Sequence, residues 1–144
     1  MGGLLDAFTF ATLSKPYYIQ AILPLALRGT FTYRVPQHLV GELETGKRVV
    51  VPFGKRRYYA ALIYKMNVQS PQGTKPKDIA YVMDDVPVVT DEQLNFWEWM
   101  AHYYMTGLSS VMNTALPNAM KISSQTSVSM NPEFEEYVDF SDDE

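Results

Sequence analysis

Five cations and one glycine crowd into the short stretch from Lys47 to Arg57. Lys55, Arg56 and Arg57 follow Gly54 at what reads as the tip of a hairpin. Lys47 and Arg48 stand at the entry of the preceding strand. Ammonium and guanidinium groups gathered at a turn suit the holding of phosphate oxygens. Gly54 adds freedom to take a positive φ or to admit another backbone closely. Composition leaves two readings open here, a solvated charged turn and a phosphate-tracking groove. Upstream, Phe31 and Tyr33 are of the right type to stack on bases, an interaction worth about 1–3 kcal/mol per base. Their alternation with Val35 fits core packing equally well.

Catalytic chemistry finds few residues. There is no cysteine, so no thiol nucleophile, disulfide or thiolate zinc site can form. The two histidines, His38 and His102, are far apart in sequence, and His102 falls within an aromatic helical stretch. No Gly-x-x-x-x-Gly-Lys-Ser/Thr run is present to cradle a nucleotide. Asp84 and Asp85 adjoin at an expected strand end, where a solvated turn outweighs a paired-carboxylate site.

The elements that must position these groups come from a chain of 144 residues, long enough for one domain with its own core. Its composition, 47% hydrophobic and 19% charged, is that of a soluble globular protein. The net charge of −4 hides a split. Seven of the sixteen acids lie within residues 133–144, so residues 1–132 carry twelve cations against nine anions. Only that mildly basic body bears on nucleic-acid binding. Residues 2–13 are apolar but lack a preceding cation and are interrupted by Asp6, which argues against a signal peptide or a membrane span. A soluble, cytoplasmic protein is expected.

Tyr17 to Leu23 reads as a buried strand, and Thr30 to Val35 as a half-buried one stopped by Pro36. Gln37 to Gly46 is a turn-rich connection. Lys47 to Phe53 and Tyr58 to Met66 are strong strands joined by a four-residue hairpin, Gly54 to Arg57. Lys77 to Met83 completes a set of five strands. The period then changes. Thr90 and Gln93 form a capping box that opens a helix running to about Met105, with Gly107 suited to end it. On it Leu94, Trp97, Ala101 and Tyr104 form one stripe and Phe96, Met100 and Tyr103 another. Both are expected to pack on the sheet, with an exposed contact role for Trp99 or a tyrosine as the alternative. A second helix spans Leu108 to Leu116, with Leu108, Val111, Met112 and Ala115 on one face, and stops at Pro117. Lys121 to Met130 is a possible further strand, and an acidic tail follows. The order implies an α+β fold: a small OB-like antiparallel barrel or curled sheet, then two helices.

Four segments occur here in an order and spacing that resemble one family. They are Tyr17 to Pro36, Gly46 to Lys55 (GKRVVVPFGK), Val86-Pro-Val-Val-Thr90, and His102-Tyr-Tyr104 followed by Ala115-Leu-Pro117. Together they are similar to the amino-terminal domain of the PriA family of bacterial primosomal, replication-restart helicases. The resemblance covers about residues 17–120. Val51-Pro-Phe-Gly-Lys55 is its most specific part.

The resemblance implies a module that binds the 3′ end of a DNA strand, as at a stalled replication fork. By position it implies an end pocket of Phe31, Thr32, Tyr33, Gly54 and Lys77, the last lying ten residues before Pro87. Lys55, Arg56 and Arg57 would track the upstream phosphates. Thr32 departs from the family pattern, which has a carboxylate there to accept from the 3′-hydroxyl. Threonine can accept a hydrogen bond only without charge. The resemblance further implies that this chain is a non-catalytic fragment of an ATP-dependent 3′-to-5′ DNA helicase. ATP, magnesium and zinc would bind only in other parts of that parent, and primosome proteins and single-stranded-DNA-binding protein would be partners through it. Residues 1–16 are expected to be an extension, and residues 121–144 a linker with an acidic tail toward a winged helix. The residues themselves leave two other readings open, a protein-interaction module and a small-barrel RNA-binding domain.

Overall fold

The computed structural model describes residues 15–121. The possible strand from Lys121 to Met130 and both terminal extensions lie outside the described residues except for Lys15, Pro16 and Lys121.

Five strands form one antiparallel sheet: β1 (Tyr17–Ile22), β2 (Phe31–Val35), β3 (Arg48–Phe53), β4 (Arg57–Met66) and β5 (Tyr81–Val82). Their spatial order is β2-β1-β4-β3-β5. The β1–β4 register shifts between Gln20 and Ala21, which pair with Lys65 and Ile63 and leave Tyr64 as the extra residue. Such a bulge increases local twist and bends the strand. Here it helps to curl the sheet.

The curl nearly closes through the segment expected as a single strand from Lys77 to Met83. That segment is divided. Arg34 N–H donates to Lys77 O and Ile79 N–H to Arg34 O, at 2.9 and 3.0 Å, joining the segment to β2. Two residues on, Tyr81 and Val82 pair with β3, and Ala80 N–H donates to Val50 O at 2.8 Å. One segment thus satisfies both free edges of the sheet, where an unpaired edge would leave backbone groups bare. The result is an OB-like α+β fold.

Alternation along the strands sends side chains into two cores. Ile19, Ala21, Tyr33, Val35, Val49, Val51 and Ile63 fill the inside of the curl, closed below by Leu39 from a 3₁₀ turn (Gln37–Glu42). Ile22 and Leu62 point to the outer face. There they meet α1 (Asp91–Tyr103) and α2 (Leu108–Ala115) through Val89, Leu94, Trp97, Ala101, Val111 and Met112. Gly46 governs the approach of the chain to α1. Its φ is +90°, and a Cβ there would lie 1.9 Å from Val89 O.

The capping box forms as expected: Gln93 N–H donates to Thr90 Oγ1, and Thr90 N–H to Gln93 Oε1. The end of α1 differs. Met105 takes the left-handed conformation with φ +53°, whereas Gly107, at φ −81°, begins α2. The missing Cβ of Gly107 matters for space instead, because Leu27 O lies 3.4 Å from where it would be. On α2 Ser109, not Ala115, is buried, and its hydroxyl donates to Leu27 O at 2.6 Å.

The larger correction concerns the aromatic stripes of α1. Leu94, Trp97 and Ala101 are buried, but Phe96, Trp99, Tyr103 and Tyr104 are each more than half exposed. Phe96, Trp99 and Tyr103 stack on one another, with ring centroids 5.9 and 5.1 Å apart. A helix offers one face to the sheet, and α2 covers only part of the rest. No helix among the described residues is long and apolar enough to cross a membrane.

Candidate nucleic-acid interface

The β3–β4 hairpin is one residue tighter than expected. Phe53 pairs directly with Arg57, leaving Gly54, Lys55 and Arg56 as the turn. Gly54 has φ +73°, and nothing lies within 4 Å of the position a Cβ would occupy. The backbone conformation, and not crowding, therefore asks for glycine. The exposed turn forms a lip between two concavities.

Inside the lip is an open concavity of about 220 Å³. Phe31, Thr32, Tyr33, Gly54 and Lys77 all line it. They are the five that the family resemblance implies, and they come from β2, the hairpin and the segment crossing to β5, so no local pattern joins them. Phe31 is half-buried and meets Phe53 edge-on, with centroids 5.1 Å apart, and Phe53 meets Tyr59 similarly. Tyr33 is a core residue, only 4% exposed, and its hydroxyl donates to Pro52 O at 3.1 Å. Burial pushes its phenol up to about 12, so it stays neutral across the physiological range. Of the two aromatic candidates, Tyr33 thus supports the wall and Phe31 keeps a partly accessible ring. Thr74, Lys75 and Pro76 also line the concavity. Sequence reading missed them because they sit in a polar loop without a pattern of its own.

Lys77 reaches across the opening, and its Nζ donates to Gly54 O at 2.8 Å. An ammonium has three donors, so this bond ties the crossing segment to the hairpin and leaves two free.

On the other side of the lip is a second open concavity, of about 300 Å³. Lys55, Arg56, Arg57 and Lys77 line it, with Tyr58 and Pro52. The three hairpin cations are exposed, and among the described residues no carboxylate pairs with them. They can therefore meet an external anion without first breaking an ion pair.

Lys47 and Arg48 do not join them. Lys47 is buried, and its Nζ donates to Glu42 O at 2.9 Å. Arg48 makes a two-pronged pair with Asp84 at 2.6 and 2.9 Å, and its own backbone N–H donates to the same carboxylate at 2.8 Å. Arg48 beside it holds the Asp84 carboxyl below the usual carboxylate range. Asp84 is thus a structural anchor and not the solvated turn residue its sequence suggested. Arg34 is engaged as well, with the exposed Asp78.

A larger concavity, about 540 Å³, lies elsewhere, between Arg28-Gly29 and the α1–α2 turn. It brings one guanidinium and His102 to mostly apolar and backbone surface. The two smaller concavities gather five cations around one lip, Lys55, Arg56, Arg57, Lys75 and Lys77, and charge density of that kind is what a polyanion requires. Among the described residues, no three His, Cys, Asp or Glu side chains group as metal ligands.

Residues 20–117 match the family model of the PriA 3′ DNA-binding domain (3′BD). The chain is 30% identical over 91 residues to the replication restart protein PriA of Bacillus subtilis, covering 63% of this chain and 11% of that protein. It is 31% identical over 99 residues to PriA of Haemophilus influenzae, covering 69% and 13%. A third relative, PriA of Rickettsia conorii, is 31% identical over 96 residues, covering 67% and 14%. The chain therefore aligns with only about one-seventh or less of the length of these three relatives.

Proposed function

This chain belongs to the PriA 3′ DNA-binding domain family, and we propose that it holds the 3′ end of a DNA strand at the lip of its curled sheet. The observation that carries this reading is the meeting of Phe31, Thr32, Tyr33, Gly54 and Lys77 around one concavity, beside a cationic hairpin with no carboxylate partner among the described residues. In this reading Phe31 packs against the terminal nucleoside while Tyr33 keeps the wall rigid. The free donors of Lys77 hold the last phosphate, and Lys55, Arg56 and Arg57 take phosphates upstream. Thr32 offers a neutral acceptor to the 3′-hydroxyl. The domain acts by binding and positioning, without chemistry of its own.

Wider assignments rest on family membership. The domain, taken as residues 17–120, would target a cytoplasmic, ATP-dependent 3′-to-5′ helicase to stalled forks. ATP, magnesium and zinc would serve other parts of that protein, and primosome proteins and single-stranded-DNA-binding protein would be partners through it.

The test is competition between single strands with a free and a phosphorylated 3′ end, read by fluorescence anisotropy. The free end is expected to win. Thr32→Asp should widen the ratio several-fold, because a charged acceptor makes a hydrogen bond roughly twice as strong. Indifference to the end in both proteins rejects the end pocket. A site around the terminal sugar should also distinguish DNA from RNA of the same sequence; equal competition favours the RNA-binding reading. One observation supports a protein-docking role beside DNA binding, the exposed stack of Phe96, Trp99 and Tyr103. Partner binding there would be insensitive to salt.

A further inference from the structure

We propose that the outer concavity is a second nucleotide subsite, with Tyr58 as its stacking platform, so that the lip grips two consecutive nucleotides. This rests on the end-binding reading for its direction: the terminal nucleotide lies inside the lip and its 5′ neighbour outside.

Strand register carries the argument. Pro52 pairs with Tyr58, and Val51 with Tyr59. Successive side chains of a strand point to opposite faces. Tyr59 therefore turns inward with Val51 and Phe53, against the inner core. Tyr58 and Pro52 turn outward, into the cationic concavity. Tyr58 is 47% exposed and stands next to Arg56 and Arg57 in the lining. A half-exposed tyrosine beside cations that have no carboxylate partner among the described residues is the pairing that lets a groove take successive nucleotides of any sequence.

Size points the same way. Small-molecule pockets usually begin at about 300 Å³ and enclose most of their ligand. The inner concavity falls below that value, the outer one only reaches it, and both are open. Neither is built to enclose a free nucleotide. They share Pro52, Gly54 and Lys77, so a chain crossing the lip can occupy both. Lys77 stands at the crossing with one donor on Gly54 O and two to spare. That is where the phosphate linking two such nucleotides would pass.

The experiment uses the whole chain and short single strands with a free 3′ end, either intact or abasic at the penultimate position. Tyr58→Ala should weaken binding of the intact strand about tenfold, within the range of one lost stacking contact. It should leave the abasic strand almost unaffected, and Tyr58→Phe should bind like the parent. As a second variant, Arg56→Ala at the turn should lower the salt slope by about 0.7, the value for one phosphate of a single strand. An equal loss on intact and abasic strands, or no loss with Tyr58→Ala, overturns the subsite. The free-to-phosphorylated 3′ ratio is measured alongside. If that ratio is one while the Tyr58 effect persists on intact strands alone, the end pocket fails and the outer subsite stands as a site for internal nucleotides.

Discussion

Asp84 illustrates how one residue can leave a surface turn and become part of the frame. Its carboxylate accepts from the guanidinium and the backbone N–H of Arg48, thirty-six residues earlier. The pair is mostly shielded, with side-chain exposures of 17% for Arg48 and 9% for Asp84. Because the folded-state pKa lies below the unfolded value, the pair contributes stability above the unfolded carboxylate pKa of about 3.9. That contribution is lost as pH falls through the lower folded value. Asp84→Asn should therefore be less stable than the parent at neutral pH by about 1–3 kcal/mol. The difference should shrink below about pH 4. Urea denaturation at several pH values checks this. A constant difference across the acid range would show that the carboxylate's charge is not what matters.

At the scale of the element, α1 carries two tryptophans with opposite surroundings. Trp97 is 6% exposed and packs with Leu94, Ala101 and Met112 on the outer face of the sheet. Trp99 is 55% exposed and touches the rings of Phe96 and Tyr103 along its own helix. Trp97→Ala should cost about 3–5 kcal/mol, as for other large aromatic deletions from a core. Trp99→Ala should cost about 1 kcal/mol, the worth of its ring contacts. Thermal melts of the two variants separate the cases. Similar losses would mean that the Trp99 stack supports the fold as much as the core does. The periodic pattern shows a helix with more aromatic faces than one sheet can cover. It does not say which face is left over.

For the whole molecule, charge is distributed by segment. The seven acids of residues 133–144 reverse the sign of a chain whose remaining residues are net positive. Ending the chain at Lys121 removes all seven and no cation. Such a shortened chain should bind single strands more tightly than the full one at about 50 mM salt. The two should converge as the Debye length contracts to about 3 Å near 1 M. Equal affinities at low salt would show that the acidic residues do not act on the binding surface. The cations that matter to that measurement are those at the lip, because Lys47, Arg34 and Arg48 already have partners within the fold.

The features legible in the chain itself are those that neighbouring residues decide. Alternation and β-branched runs located four long strands within a residue or so of their observed ends, and Thr90 and Gln93 marked the start of α1. The hairpin cations and the ordered family segments were likewise legible, since turn chemistry and motif spacing are local. Tertiary structure alone decided three other matters. It split Lys77 to Val82 between two sheet edges, because the curl brought β2 and β3 within reach of one segment. It buried Tyr33 and left Phe31 partly exposed, two residues that share a strand face, because Tyr33 sits mid-strand within the core and Phe31 begins the strand at its edge. It also divided the cations into those held by carboxylates or carbonyls and those with no such partner among the described residues. Ion pairs and burial depend on groups far apart in sequence, and no local pattern records which of them the fold will bring together.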